Sequence, residues 1–212
     1  YRLSAQQNNA QAQFNLGQLY ESGERVTQDY KKAIKWYKLA AGNNNELAQF
    51  KLGNLFEKGK GVVKNDKEAL KWYQLAADQG NETAQFNLGY MYSRGIGVGQ
   101  NYGKAFNWYR LAAGQDNVLA MFNMGVLYSE GRGTRQNYSK AASWFRLAAK
   151  KGDAEAQFRL GMMYEEGDGV EKDVEKAVKL YRFAAEQGHA MAQGSLGWMY
   201  INGNGVEEDL DE

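Results

Sequence analysis

Acidic side chains gather at two places in this chain, Glu165, Glu166 and Asp168, then Glu207, Glu208 and Asp209. Paired carboxylates are the groups a hydrolase uses as general acid and base. A hydrolase acting, for instance, on cell-wall material is the enzymatic reading they support. Against it, both clusters fall in segments that read as connecting loops, with no pocket implied around them. Their spacing also departs from a calcium-loop signature.

The other chemical groups are sparse. His189 is the only histidine and there is no cysteine, so disulfides, thiolate metal sites and a cysteine nucleophile are excluded. A lone histidine builds neither a zinc site nor a Ser-His pair, and His189 reads as a surface residue. Recurring glycine pairs such as Gly95/Gly97 resemble a phosphate cradle. No lysine-serine or lysine-threonine signature follows them, so they read as helix exits. Asn81-Glu82-Thr83 and Asn137-Tyr138-Ser139 are glycosylation sequons by letter, but both asparagines also suit helix caps. No catalytic residue, metal ligand or cofactor site is expected.

What must position these residues is a repeat. Leu16-Gly17, Leu52-Gly53, Leu88-Gly89, Met124-Gly125, Leu160-Gly161 and Leu196-Gly197 follow one another at 36-residue steps without a gap. A unit of this length cannot bury its own apolar face, so copies must stack. The expected organisation is a single array. It has a partial repeat at 1–9, repeats at 10–45, 46–81, 82–117, 118–153 and 154–189, and a partial repeat at 190–212. Tyr1-Arg2-Leu3-Ser4-Ala5 matches Tyr37-Lys38-Leu39-Ala40-Ala41, as if the chain began inside a second helix, and the array reads as a fragment of a longer one.

Residues 81–116 serve as the type unit. A first helix is expected over about Glu82 to Ser93, with Ala84, Leu88, Met91 and Tyr92 on one side at helical spacing. Gly89 and its copies sit mid-helix, where glycine costs about 1 kcal/mol against alanine. Close approach of the partner helix is the reason expected. Asp29, Asn65, Asn101, Asn137 and Asp173 form a column of N-caps for a second helix, about Tyr102 to Ala113 in the type unit. Asn44, Gly80, Asp116, Gly152 and Gly188 share a column and tolerate the left-handed conformation of a helix C-cap.

The pattern A-x-A-Q-F-x-L-G-x-x-Y-x-x-G-x-G-V, then Asp or Asn, then K-A-x-x-W-Y-x-x-A-A, resembles the Sel-one-like repeat, a relative of the tetratricopeptide repeats. The resemblance covers essentially the whole chain. It implies an all-α fold, a right-handed superhelical solenoid of antiparallel helix pairs, used as an adaptor or scaffold for protein partners. Many members are bacterial, often periplasmic or secreted, while eukaryotic ones serve in membrane-protein degradation complexes. A cysteine-rich subgroup carries a disulfide in each repeat, which this chain lacks. The family pattern fixes structural columns and transfers no functional residue.

Columns that vary are where a partner is read. On the first helix Thr83, Asn87, Tyr90 and Arg94 point away from the Ala84/Leu88/Tyr92 side. In tetratricopeptide-like stacks that outward stripe lines the concave groove. The Tyr90 column runs Gln18, Asn54, Tyr90, Val126, Met162, Trp198; the Thr83 column runs Gln11, Leu47, Thr83, Leu119, Glu155, Met191. Exposed apolar side chains mark interaction sites, so Tyr90, Leu119, Val126, Met162, Met191 and Trp198 are the expected anchors. Asn87, Arg94, Asn123 and Arg159 are the expected polar contacts. The favoured function is a non-enzymatic module that binds a protein or peptide. A structural spacer, self-associating through the apolar C-terminal surface, is a third reading. Net charge is +1, from 26 basic and 25 acidic residues, which does not favour nucleic acid. A basic stripe at Lys32, Lys104, Lys140 and Lys176 reads as a solvated face. No stretch approaches the ~20 apolar residues of a membrane span.

Overall fold

The computed structural model describes Ala5 and residues 7–203, and among these the regular structure is helical throughout. The chain divides into two compact units, residues 1–111 and 112–212. Unit 1 holds α1 (Ala10–Ser22), α2 (Tyr30–Gly42), α3 (Glu46–Lys58), α4 (Asp66–Asp78), α5 (Glu82–Arg94) and most of α6 (Tyr102–Ala113). Unit 2 holds α7 (Val118–Glu130), α8 (Tyr138–Lys150), α9 (Ala154–Glu166), α10 (Val174–Glu186) and α11 (Ala190–Ile201). Odd helices are the first of each repeat and even helices the second.

Each second helix starts on the side chain the spacing predicts. Asn65 Oδ1 accepts from the Glu68 N–H at 3.1 Å to start α4, and Asp173 Oδ1 accepts from the Lys176 N–H at 2.9 Å to start α10. Both sequon asparagines cap helices in this way, Asn81 for α5 and Asn137 for α8. Between repeats the chain turns through positive φ at Asn44 (60°), Gly80 (97°), Asp116 (72°), Gly152 (92°) and Gly188 (83°). That is the left-handed column the sequence predicts.

The helices of a repeat run antiparallel. In unit 1 the Asn65 N–H at the head of α4 donates to Phe56 O near the tail of α3. At the other end Gln79, just past α4, donates to Gln49 near the head of α3 at 2.7 Å. Unit 2 repeats the pattern with Asp173 to Tyr164 and Gln187 to Gln157.

Five of the six mid-helix glycines have the expected cause, and the neighbour is specific; the sixth, Gly197, meets nothing within 4 Å among the described residues. A Cβ on Gly53 would lie 2.5 Å from the Tyr73 ring, one on Gly125 2.5 Å from Phe145, and one on Gly161 2.7 Å from Tyr181. The second helix lays an aromatic ring flat on the bare backbone of the first. Those rings are fully buried, and alanines such as Ala69, Ala76, Ala84, Ala141, Ala148 and Ala156 close the space around them.

A buried glutamine then joins one repeat to the next. Gln49 donates to Ala41 O, Gln85 to Ala77 O and Gln157 to Ala149 O, at 3.2–3.4 Å. Each amide satisfies a carbonyl at the end of the preceding second helix, where the helix itself offers no donor. Met121 stands in this column in the repeat that begins unit 2.

Candidate functional site

The scaffold decides which face is left to read. Ala, Leu and Gly of the odd helices point at the even helices. The columns just before the Ala and the Leu, and just after the Gly, point out. In unit 1 that outward stripe carries Gln11, Asn15 and Gln18 on α1, Leu47, Lys51 and Asn54 on α3, and Thr83, Asn87, Tyr90 and Arg94 on α5. In unit 2 it carries Leu119, Asn123 and Val126 on α7, Glu155, Arg159 and Met162 on α9, and Met191, Ser195 and Trp198 on α11.

Unit 1 presents a polar surface. An open depression of about 590 Å³ is lined by Asn15, Gln18, Glu21, Ser22, Tyr30 and Lys51, among others. Lys51 Nζ sits 3.0 Å from Glu21 Oε2. Asn87 is half-buried and hydrogen-bonds to the Tyr73 hydroxyl. Tyr90 is exposed, with the Arg94 guanidinium 5.9 Å from its ring centroid.

Unit 2 presents an apolar one. Trp198 is 62% exposed, Met191 57%, Leu119 52% and Met162 44%. Burying such large apolar side chains would be favourable, and exposed apolar patches are where partners commonly dock. Val126 is half-buried beside them. A second open depression, about 400 Å³, is lined by Phe158, Glu165, Met191, Gly194, Ser195 and Trp198.

The polar members of the face are tied to the scaffold. Asn123 Nδ2 donates to the Leu119 carbonyl at 2.7 Å. Arg159 Nε donates to Glu155 Oε1 at 2.8 Å, and its guanidinium lies 5.8 Å from the Phe122 centroid. Glu155 Oε2 lies 2.9 Å from His189 Nε2. Burial works to raise the Glu155 carboxyl, but the hydrogen bonds and charges of His189 and Arg159 outweigh it and hold the group below its ordinary range.

His189 is a correction to the sequence reading. Its side chain is only 14% exposed. It stacks on Phe158 with centroids 4.8 Å apart, and its Nδ1 accepts from the Ala192 N–H to cap α11. It takes the place that Asn45, Asn81, Asn117 and Asp153 hold elsewhere, and adds a ring.

The carboxylates also sit differently. Glu165 and Glu166 lie in the last turn of α9 rather than in a loop. Glu165 Oε2 accepts from the Tyr181 hydroxyl at 2.6 Å. Glu57 does the same for Tyr73, and Glu21 for Tyr37. Burial raises all three tyrosines well above the usual phenol range, and the facing carboxylates add to it. Tyr109 faces Ser93 instead, and burial pushes it up to about 12. In the next repeat Ser129 stands in the acid column, and the ring is Phe145. The sequence carries part of this signal, since every carboxylate in the one column stands with a tyrosine in the other and the phenylalanine stands with a serine, but single columns do not reveal it. Glu165 is therefore already engaged with the core. Among the described residues no cluster of three His, Cys, Asp or Glu side chains is placed to hold a metal. Glu207, Glu208 and Asp209 lie outside the described residues.

The basic stripe has a structural use. Lys32, Lys104, Lys140 and Lys176 hold their ammonium groups over Tyr20, Tyr92, Tyr128 and Tyr164, at 5.2–5.5 Å from the ring centroids. No described helix is long and apolar enough to cross a membrane.

A family model described as Sel1 repeat matches residues 10–45, 47–81, 83–117, 118–153, 154–189 and 190–212. Among solved structures, the chain is similar to c5321 of uropathogenic Escherichia coli, described as a protective antigen displaying an SLR fold. The identity is 38% and the TM-score 0.94, over 99% of this chain and 45% of that one. This chain thus spans less than half the length of that relative. A Sel1 repeat protein from Oxalobacter formigenes is 36% identical with a TM-score of 0.82, over 97% of this chain and 82% of that one. Cysteine rich protein B of Helicobacter pylori is more distant, at 25% identity and TM-score 0.50, over 65% of this chain and 99% of that one. No curated protein matches the sequence.

Proposed function

The chain belongs to the Sel1 repeat family, whose members are generally non-enzymatic scaffolds for protein–protein interaction, and from that premise we propose that this protein is an adaptor holding a protein or peptide segment on the outward face of its odd helices. Unit 2 is the principal contact. The observation that carries this reading is the run of solvent-facing Leu119, Met162, Met191 and Trp198 with half-buried Val126 among them. Unit 1 builds the same helix pairs with Gln11, Gln18 and Asn54 in those columns beside Leu47 and Tyr90, so the packing does not require the run of apolar residues in unit 2. Methionine and tryptophan are suited to adaptable and anchoring contacts respectively.

Binding on this face is apolar burial first. Each covered side chain contributes about 1.5–3 kcal/mol before the ordering of the partner is subtracted. Asn87, Asn123 and Arg159 are held by the scaffold, so they meet a partner's backbone or carboxylate with little further loss of entropy. Net charge near zero and the balanced face predict weak salt dependence.

The test is the double variant Val126→Asp with Met162→Asp. Both side chains lie outside the ring-on-glycine core, so the helical circular dichroism stays as it is. Capture of the protein's own partner falls by roughly a hundredfold or more, the hot-spot range. Undiminished capture by the folded variant overturns the reading. Sedimentation at several concentrations, run on the same pair, separates partner capture from self-association.

A further inference from the structure

The even helices carry an apolar column that the fold leaves half in water. Leu39, Leu75, Leu111, Leu147 and Phe183 recur at 36-residue steps and are 42–55% exposed. Three residues earlier, on the same face of each helix, stand half-buried Trp36, Trp72, Trp108 and Trp144, with Leu180 as the fifth. A single exposed leucine needs no explanation. An apolar residue in that place on all five even helices does. Ala33, Tyr37, Ala40 and their equivalents already fill the side that is buried, so packing within the repeat does not ask for it.

Charge divides between the two kinds of helix. The even helices hold 14 basic residues against 5 acidic ones, or +9, in a chain whose total is +1. The odd helices hold 4 against 8, or −4. In unit 1, α2 carries exposed Lys31, Lys32, Lys35 and Lys38 and no acid. In unit 2, α8 carries exposed Lys140, Arg146 and Lys150 and no acid. Lys35 lies one turn before Leu39, and Lys71 and Lys179 stand in the same relation to Leu75 and Phe183. Some of these cations, such as Lys32 and Lys176, lie over tyrosine rings, which fixes their heads at the surface without removing their charge.

We propose that the outward face of the even helices docks on an anionic lipid surface. The leucine column and the tryptophan edges enter the headgroup layer, and the flanking lysines and arginines meet lipid phosphates. The protein then lies on the bilayer and does not cross it. The excess of cations on this face selects an anionic occupant. The apolar column selects lipid over nucleic acid, because a leucine gains little beside a phosphate backbone, whereas lysine and arginine stems lie along an acyl boundary with their heads in water. Tryptophan favours the same boundary. The proposal does not depend on the odd-helix reading. It uses the other helix of each repeat and leaves the odd-helix stripe open to a protein partner.

The probe is a vesicle of phosphatidylcholine with about one third phosphatidylglycerol, compared with pure phosphatidylcholine in a flotation assay. The protein should bind the anionic vesicles roughly a hundredfold more tightly, and raising salt from about 50 mM to about 0.5 M should release it. Brominated lipid should quench the emission of a Trp198→Phe variant, whose four remaining tryptophans all stand on even helices. Leu39→Ser with Leu75→Ser changes only half-exposed side chains, so the helical circular dichroism stays as it is. Vesicle binding by that variant should fall roughly tenfold. Lys31→Glu with Lys35→Glu should lower it roughly tenfold or more at low salt. Equal binding to both kinds of vesicle, no quenching by brominated lipid, or undiminished binding by the folded leucine variant each overturns the proposal. A short DNA duplex that displaces the protein from vesicles, and binds the leucine variant as well as the unaltered chain, also overturns it, because the face then reads phosphate charge alone.

Discussion

Units 1 and 2 use the same internal grammar and opposite surfaces. In both, an aromatic ring lies on a bare glycine, a side chain caps the helices (a carboxamide or carboxylate except at His189), and a glutamine reaches the preceding second helix. The outward columns differ more than the inward ones. Unit 1 places exposed Gln18 and half-buried Asn54, which accepts from the Tyr73 hydroxyl, where Val126, Met162 and Trp198 stand in unit 2, although it too exposes Leu47 and Tyr90. Because the ring-on-glycine contacts and the caps lie within the helix pairs, most outward columns can change at little cost to the fold. Surface identity and fold stability are therefore separable in this molecule.

The first way to break that comparison is to delete the shared ring. Tyr73→Ala in unit 1 and Phe145→Ala in unit 2 should each cost about 3–5 kcal/mol, the range for a fully buried aromatic. The cost should match between units to within about 1 kcal/mol, except that Tyr73→Ala also strands the Glu57 carboxylate. Urea unfolding followed by circular dichroism reads both. A ring that proves dispensable in one unit would show that the two cores are built differently.

The second contrast is on the surface. Gln18→Asp with Asn54→Asp in unit 1 should change partner capture by less than about threefold, against the roughly hundredfold loss expected from the same charges at Val126 and Met162. Equal losses would make the two faces one binding surface of uniform importance.

Much of this was legible beforehand because the repeat multiplies each signal. The 36-residue step fixes the helix pairs. Six copies of the glycine make its cost implausible unless something presses on it, and Tyr73 and its equivalents supply the pressure at five of them. The capping column and the left-handed column follow from residue type alone. What the sequence hides is pairwise. That Glu165 belongs to Tyr181 depends on two helices meeting, so the acid reads as loop chemistry until the contact is seen. His189 reads as a surface residue for the same reason. Its ring fits between Phe158 and Glu155, which are more than thirty positions away along the chain.

The smallest expected difference between the units is in acid. Glu155 in unit 2 holds its carboxyl below the usual value of 4.5, through His189 and Arg159, and its place in unit 1 is taken by uncharged Gln11, Leu47 and Thr83. A depressed carboxyl contributes stability that is fully present above its unfolded pKa and is lost as pH falls through its folded one. Unit 2 should therefore lose a few tenths to about 1 kcal/mol between roughly pH 5 and pH 3 through this group, since the pair is partly open to solvent. Glu155→Gln should remove that part of the acid sensitivity and leave the neutral-pH stability lower by a similar amount. The measurement is urea unfolding at pH 3.5 and pH 7, with the variant and the wild-type chain side by side. If the variant keeps the full acid dependence, the Arg159–Glu155–His189 chain contributes nothing to holding α11 on α9, and the apolar surface at Met191 and Trp198 is positioned by packing alone.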